Sequence, residues 1–194
     1  MPPPSPLPLP FEPRQTLLFS GHRIDSPGRT PPRFPPHLEA AAAARIAEAL
    51  DALAADASDI ALTQGASGGD LLFAEACTQR GVPVQLLLPL PETEFIAQSI
   101  LPSADGERWK KRFLDLKTRL PWPPQSLQSP DGDAFERGNL WLLATALACG
   151  ADKLRLICLW NGADDNGPGG TAHMLREVKR HKGRIIRIDT RMLR

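Results

Sequence analysis

Apolar residues along this chain occur in two kinds of run, and the two kinds alternate. Short continuous runs at 16–20, 59–63, 82–88, 154–160 and 184–188 predict strands. Residues 37–55 are alanine-rich, with Leu38, Ile46, Leu50 and Leu53 near helical spacing, and predict a helix. Residues 71–80, 92–100, 107–119, 134–149 and 171–182 predict five more. Gly81 is placed to close the second helix, and Pro89 stops the third strand. Strands apolar on both faces, separated by helices, indicate a parallel sheet covered on both sides. The expected fold is therefore α/β, a three-layer Rossmann-like sandwich. Its mostly parallel five-stranded sheet has the expected order 3-2-1-4-5, with a switch between the first and fourth strands. Residues 14–194 make up this domain, and 90–132 read as a loop and helical insertion that turns irregular at Pro121-Trp122-Pro123-Pro124. Residues 1–13 read as a disordered or polyproline II lead-in.

Composition narrows the function. A chain of 194 residues buries a real core without disulfides. The net charge of +1 creates no global field for nucleic acid or acidic membranes. Aromatic residues are sparse and tyrosine is absent, which argues against a base-stacking surface. No apolar run approaches the ~20 residues that span a bilayer, and the proline-rich start is not a signal peptide. Cys77, Cys149 and Cys158 lack metal-ligand spacing and read as buried, reduced thiols. The expectation is a cytoplasmic protein with no metal, no cofactor, and neither nucleic acid nor membrane as partner.

Candidate chemistry sits where strands end. Ser20-Gly21, Gly65 to Gly69 and Gly167 to Thr171 each follow or approach a strand end and lead toward a helix. In an open parallel sheet such turns share the carboxyl edge, where ligands bind. Glycine lets backbone approach a ligand, and the first-turn N–H groups of the next helix face an anion. The expected ligand-binding set is Ser20, Gly21, His22, Arg23, Gly65, Gly68, Gly69, Asp70, Arg137, Gly167, Gly169, Gly170 and Thr171.

Several of these have a plainer reading. Asp70 at a helix start serves the helix dipole, or it bonds a ribose hydroxyl or base edge while phosphate sits at Gly169, Gly170 and Thr171. Thr171 is placed to be an N-cap, and Asp133 with Glu136 resembles a capping box. Arg137 is a cation near a helix N-terminus, which calls for an anion: Glu136, Asp133 or a ligand. Arg23 fits either a surface ion pair or a ligand contact, and His22 either a loop hydrogen bond or a ligand contact. His173 and His181 read as solvated helix residues, and Trp160 as a core indole or a base-stacking surface.

The order of these motifs is similar to that of the SLOG superfamily. The similarity lies in Phe19-Ser20-Gly21, then Gly65-Ala66-Ser67-Gly68-Gly69-Asp70 with its helix, then Val84-Gln85-Leu86-Leu87-Leu88-Pro89. That group includes the LONELY GUY phosphoribohydrolases and the DprA-type domains. Phe135-Glu136-Arg137 resembles the Glu-Arg helix start of the former, and Gly167-Pro168-Gly169-Gly170-Thr171 resembles their P-G-G-x-G-T loop. The pattern is closer still to SLOG domains found beside signalling and bacterial conflict modules, for which sensing of nucleotide-derived ligands has been proposed. The enzymes carry a glutamate three residues after the loop threonine, whereas this chain has Met174, which the resemblance places facing the pocket. Methionine can neither stabilise an oxocarbenium-like centre nor activate water. Glu177, the next acid, is one turn further in.

The resemblance implies a non-catalytic domain that binds or senses a nucleotide-like ligand. Its alternative is an N-glycosidase or phosphoribohydrolase acting on nucleoside monophosphates, with Asp70, Glu136 and Arg137 as the candidate catalytic residues. A third reading is a structural dimerisation domain built on the apolar helix face of Leu140, Trp141, Leu143, Ala144 and Leu147. A homodimer and a separately supplied effector protein are the expected protein partners.

Overall fold

The computed structural model describes residues 4–127, 132–163 and 170–194. Among them are strands β1 (Thr16–Gly21), β2 (Ile60–Thr63), β3 (Val84–Leu88), β4 (Gln125–Ser126), β5 (Leu154–Leu159) and β6 (Arg184–Ile188). The helices are α1 (Glu39–Ala52), α2 (Gly69–Gln79), α3 (Glu92–Ser99), α4 (Gly106–Lys117), α5 (Ala134–Leu147) and α6 (Thr171–Arg180). The sheet order is β4-β3-β2-β1-β5-β6, and every pairing is parallel. The five expected strands thus keep their expected order. The correction is a sixth strand, the two-residue β4, beside β3 at one edge.

Side-chain alternation sorts the core into two layers. Leu17 and Phe19 of β1, with Ile157 and Leu159 of β5, face α1, α2, α3 and α4. Leu18 of β1, with Leu156 and Cys158 of β5, faces α5 and α6. β1 and β5 lie side by side, registered from Thr16↔Leu154 to Gly21↔Leu159. The connections from β1 run one way across the sheet and the connection from β5 runs the other, so a crevice opens between their carboxyl ends.

Tryptophans and cysteines take structural places. Trp109 is fully buried, with the Arg112 guanidinium 4.2 Å from its ring centroid. Arg112 also bridges Glu39 of α1 and Glu75 of α2, which ties three helices together. Cys77 and Cys158 are buried free thiols; burial pushes Cys158 up to about 12, away from reactivity. Among the described residues no helix is long and apolar enough to cross a membrane, and no cluster of His, Cys, Asp or Glu could hold a metal ion.

The proline-rich segment lies against α5 as an extended strap. Leu7, Leu9 and Phe11 point inward while Pro6, Pro8 and Pro10 are exposed, the two-residue alternation of extended chain. Leu7 and Leu9 join the α5–α6 core cluster, and the Leu7 N–H donates to Thr145 Oγ1 at 3.0 Å. Phe11 packs on Trp122, ring centroids 6.4 Å apart, and Glu12 pairs with Lys153. Part of the apolar helix face is thus covered by the chain itself. The double variant Leu7→Ser/Leu9→Ser should lose about 1–2 kcal/mol, the scale for two partly buried leucines. Urea unfolding reads that loss, and an unchanged midpoint would show that the strap contributes nothing.

Candidate functional site

A cavity of about 370 Å³ opens at the carboxyl edge of the sheet, over the crevice between β1 and β5. That volume lies within the range of small-molecule sites. The segment after β1 supplies Ser20, Gly21, His22 and Arg23, and the start of α6 supplies Gly170, Thr171 and Ala172. Ser20 Oγ donates to Thr171 Oγ1 at 3.3 Å, so the two loops meet directly. Gly170 is the N-cap and Thr171 opens the helix, which shifts the expected cap by one residue. Gly167 and Gly169 lie outside the described residues.

The middle glycine loop plays a different part from the one expected. Gly65, Gly68 and Gly69 are buried and do not line the cavity. Gly68 has φ +87°, and a Cβ there would come within 2.5 Å of the Ile24 nitrogen. A Cβ on Gly69 would come within 2.7 Å of the Phe19 ring. These glycines let the loop press on β1 and the segment after it, and the Gly69 N–H donates to the His22 carbonyl at 3.2 Å. They hold the wall that other residues line.

Asp70 does reach the cavity. Its Oδ2 accepts from the N–H groups of Gly65 at 3.1 Å and Ala66 at 3.3 Å, so it also braces the loop that precedes its own helix. Burial raises its pKa to about 6, opposed by the Ala66 and Gly65 N–H groups, the Thr63 side chain and the Arg23 charge. An unfolded aspartate titrates near ~3.9. Between about pH 4 and 6 the folded state therefore holds the extra proton, and stability falls as pH rises through that window. Below it the penalty is absent; above it the penalty is complete. Asp70→Asn should flatten that slope and raise stability at neutral pH. Chemical denaturation at several pH values measures both, and an unaltered slope would refute the assignment.

Arg23 donates to the Gln98 carbonyl at 2.6 Å. Burial, then the like charge of Arg33, hold its pKa below the ordinary arginine value; Asp70 opposes this. Arg33 enters the cavity wall from the loop after β1. Asp25 shapes that loop by accepting from the N–H groups of Arg33 at 2.9 Å and Phe34 at 3.0 Å. A further guanidinium, Arg176, stands one helical turn beyond Ala172 on the same side of α6. Asp70 is the one carboxylate among the described lining residues.

His22 is buried, with Nε2 3.0 Å from Asn161 Oδ1 and 3.2 Å from the Asn161 nitrogen. One ring nitrogen cannot donate to the first and accept from the second at once, so the tautomer selects the bond. Either way His22 joins the end of β1 to the loop after β5. Trp160 lines the cavity and carries Arg187 4.9 Å from its ring centroid.

Glu136 and Arg137 do not line the cavity, although their neighbours Phe135 and Asn139 do. Asp133 caps α5 by accepting from the N–H groups of Phe135 and Glu136 at 2.9 Å. Arg137 Nε is buried without a hydrogen-bond partner among the described residues. Met174 corrects an expectation. It is 1 % exposed in the α5–α6 core and does not face the cavity. Glu177 pairs with Arg180 on the helix surface.

The polar lining residues that sequence reasoning missed are Arg33, Gln64, Gln98, Ser99, Asn139 and Arg176. Gln64 lies just past β2, where the strand-end rule would have caught it. The others carry no local signal. No protein-family model matches this chain, and no curated protein matches it.

Proposed function

We propose that this chain is a binding domain for a nucleotide or nucleotide-derived ligand, which it holds without consuming. The observation that carries this reading is Arg23. Its guanidinium lines the cavity, lies within electrostatic reach of Arg33 and donates to a neutral carbonyl rather than to a carboxylate. An anion in the cavity is drawn to that guanidinium. Arg176 and the start of α6 add positive potential to the same space. Phe135, Leu142 and Trp160 supply apolar wall for a flat ring.

Isothermal calorimetry with adenosine monophosphate, pyrophosphate and adenosine tests this. Both anions are expected to bind, and adenosine more weakly than its monophosphate. Arg23→Gln should weaken monophosphate binding by about 1.5–3 kcal/mol, the scale of a hydrogen bond to a charged group. Equal affinity for adenosine and its monophosphate would sink the reading.

One observation favours the enzymatic alternative. Asp70 sits in the cavity with a pKa near 6, suited to proton transfer near neutral pH. Chromatography of adenosine monophosphate incubated with the protein decides between the two. Free adenine, lost in Asp70→Asn, would make this a phosphoribohydrolase; intact nucleotide together with measured binding supports sensing. The sensing reading assigns the output to a separate effector protein. Homodimerisation through the partly exposed Leu140, Ala144 and Leu147 belongs to the proposal as well, and light scattering checks it.

A further inference from the structure

We propose that Asp70 and Ser99 together form a subsite for two neighbouring hydroxyls, the cis-diol of a ribose. This rests on the reading that the cavity takes a nucleotide-like ligand, and it assigns one end of the cavity to the sugar.

Ser99 ends α3, is 1 % exposed and lines the cavity. Its carbonyl accepts from the Ser67 N–H at 3.2 Å and from Ser67 Oγ at 3.1 Å, so its backbone is pinned. Its own Oγ is buried and has no hydrogen-bond partner among the described residues. A buried hydroxyl left unpaired is costly, and such groups are few in folded proteins. A ligand hydroxyl satisfies it.

Asp70 is fixed rather than unpartnered. Oδ2 is held by the Gly65 and Ala66 N–H groups, and the Thr63 side chain also steadies the carboxylate, which still lines the cavity and keeps lone pairs for a ligand donor. The loop at 65–70 thus fixes both groups, Asp70 through Gly65 and Ala66, and Ser99 through Ser67. An ionised carboxylate only accepts, and a hydroxyl both accepts and donates. A diol offers two donors on adjacent carbons, which matches that pair.

The charges around this end select against other groups. A phosphate would meet the Asp70 charge directly. A ligand ammonium would face Arg23, whose charge acts on Asp70. A neutral polyol meets neither penalty. The phosphate then falls toward Thr171 and Arg176, and the base toward Trp160 and Phe135.

Calorimetry on the full chain with adenosine monophosphate and its 2′-deoxy and 3′-deoxy analogues tests the assignment. Sites that hydrogen-bond a hydroxyl reject the analogue lacking it strongly. Each deoxy analogue is expected to bind at least about tenfold more weakly. Ser99→Ala should shrink that discrimination to within about threefold while pyrophosphate still binds. Asp70→Asn, which keeps an oxygen for the loop N–H groups, should shrink it too. Equal affinity for the three nucleotides, or full discrimination retained in Ser99→Ala, overturns the subsite while leaving anion binding intact. Failure of both pyrophosphate and nucleotide to bind overturns the subsite and the proposed function together.

Discussion

Gly68→Ala is expected to cost about 2–5 kcal/mol, a large part of the ~5–15 kcal/mol that holds a typical domain folded. Two effects add. The backbone at Gly68 has φ +87° and ψ −125°, outside the regions open to residues with a Cβ. That strain alone is worth about 1–2 kcal/mol. The new methyl would also strike backbone, the Ile24 nitrogen at 2.5 Å and the Arg23 carbonyl carbon at 3.0 Å, where no side chain can swing aside. Overpacking of this kind costs about 1–3 kcal/mol. Gly81→Ala is the internal control. Gly81 also has positive φ, +72°, but a Cβ there meets nothing within 4 Å. Its cost should stay near ~1 kcal/mol, and urea midpoints of the two variants give the comparison. Equal losses would mean that the close approach at Gly68 carries no energy.

The second large effect is expected at Phe19. This side chain is 1 % exposed and stacks on Phe73 with ring centroids 5.2 Å apart. Its ring also lies against the places where a Cβ of Gly21 or Gly69 would stand, and it forms part of the cavity floor. Phe19→Ala should destabilise by about 3–5 kcal/mol, the usual cost of removing a buried aromatic. It should also weaken ligand binding, because the glycine turns lose the surface they rest on. Phe19→Leu keeps most of the volume and should cost under ~1.5 kcal/mol. Thermal and urea unfolding read the stability, and calorimetry reads the binding. A Phe19→Ala protein of near-native stability would show that the loop is held by its hydrogen bonds alone.

Both variants bear on what could be read from the chain. The sheet was legible because its strands are continuous apolar runs, and each run packs on helices from both sides. β4 was not, because Gln125–Ser126 is a polar pair after prolines that becomes a strand only by lying beside Leu87 and Leu88. The strap left a trace in the Pro-Leu-Pro-Leu-Pro-Phe alternation at 6–11, but composition suggested a lead-in instead. Ser20, Gly21, His22, Arg23, Asp70 and Thr171 could be placed around the cavity because strand ends of a parallel sheet converge. Gly68 and Gly69 show the limit of that rule. A glycine that yields to a ligand and one that yields to the chain's own backbone look the same in sequence. Arg33 and Arg176 show another, since an arginine in a proline-rich loop or on a charged helix reads as plain surface, and nothing local says that the surface it joins is a cavity wall.

The cavity takes residues from the segments after β1 and β2, from the end of α3, from α5, from Trp160 and from the start of α6. These pieces span most of the chain and meet only when the whole sheet has formed. Occupancy is therefore linked to global unfolding rather than to the ordering of one loop. A ligand at 100 times its dissociation constant adds about 2.7 kcal/mol to the stability of such a fold. For a domain of this size each kcal/mol moves the melting temperature by roughly 2–4 °C. A thermal-shift survey of candidate molecules therefore needs no prior assay of function, and a rise of some ~5–10 °C would single out a tight binder. The same linkage predicts that a fragment ending before β5 neither folds nor retains any part of the binding.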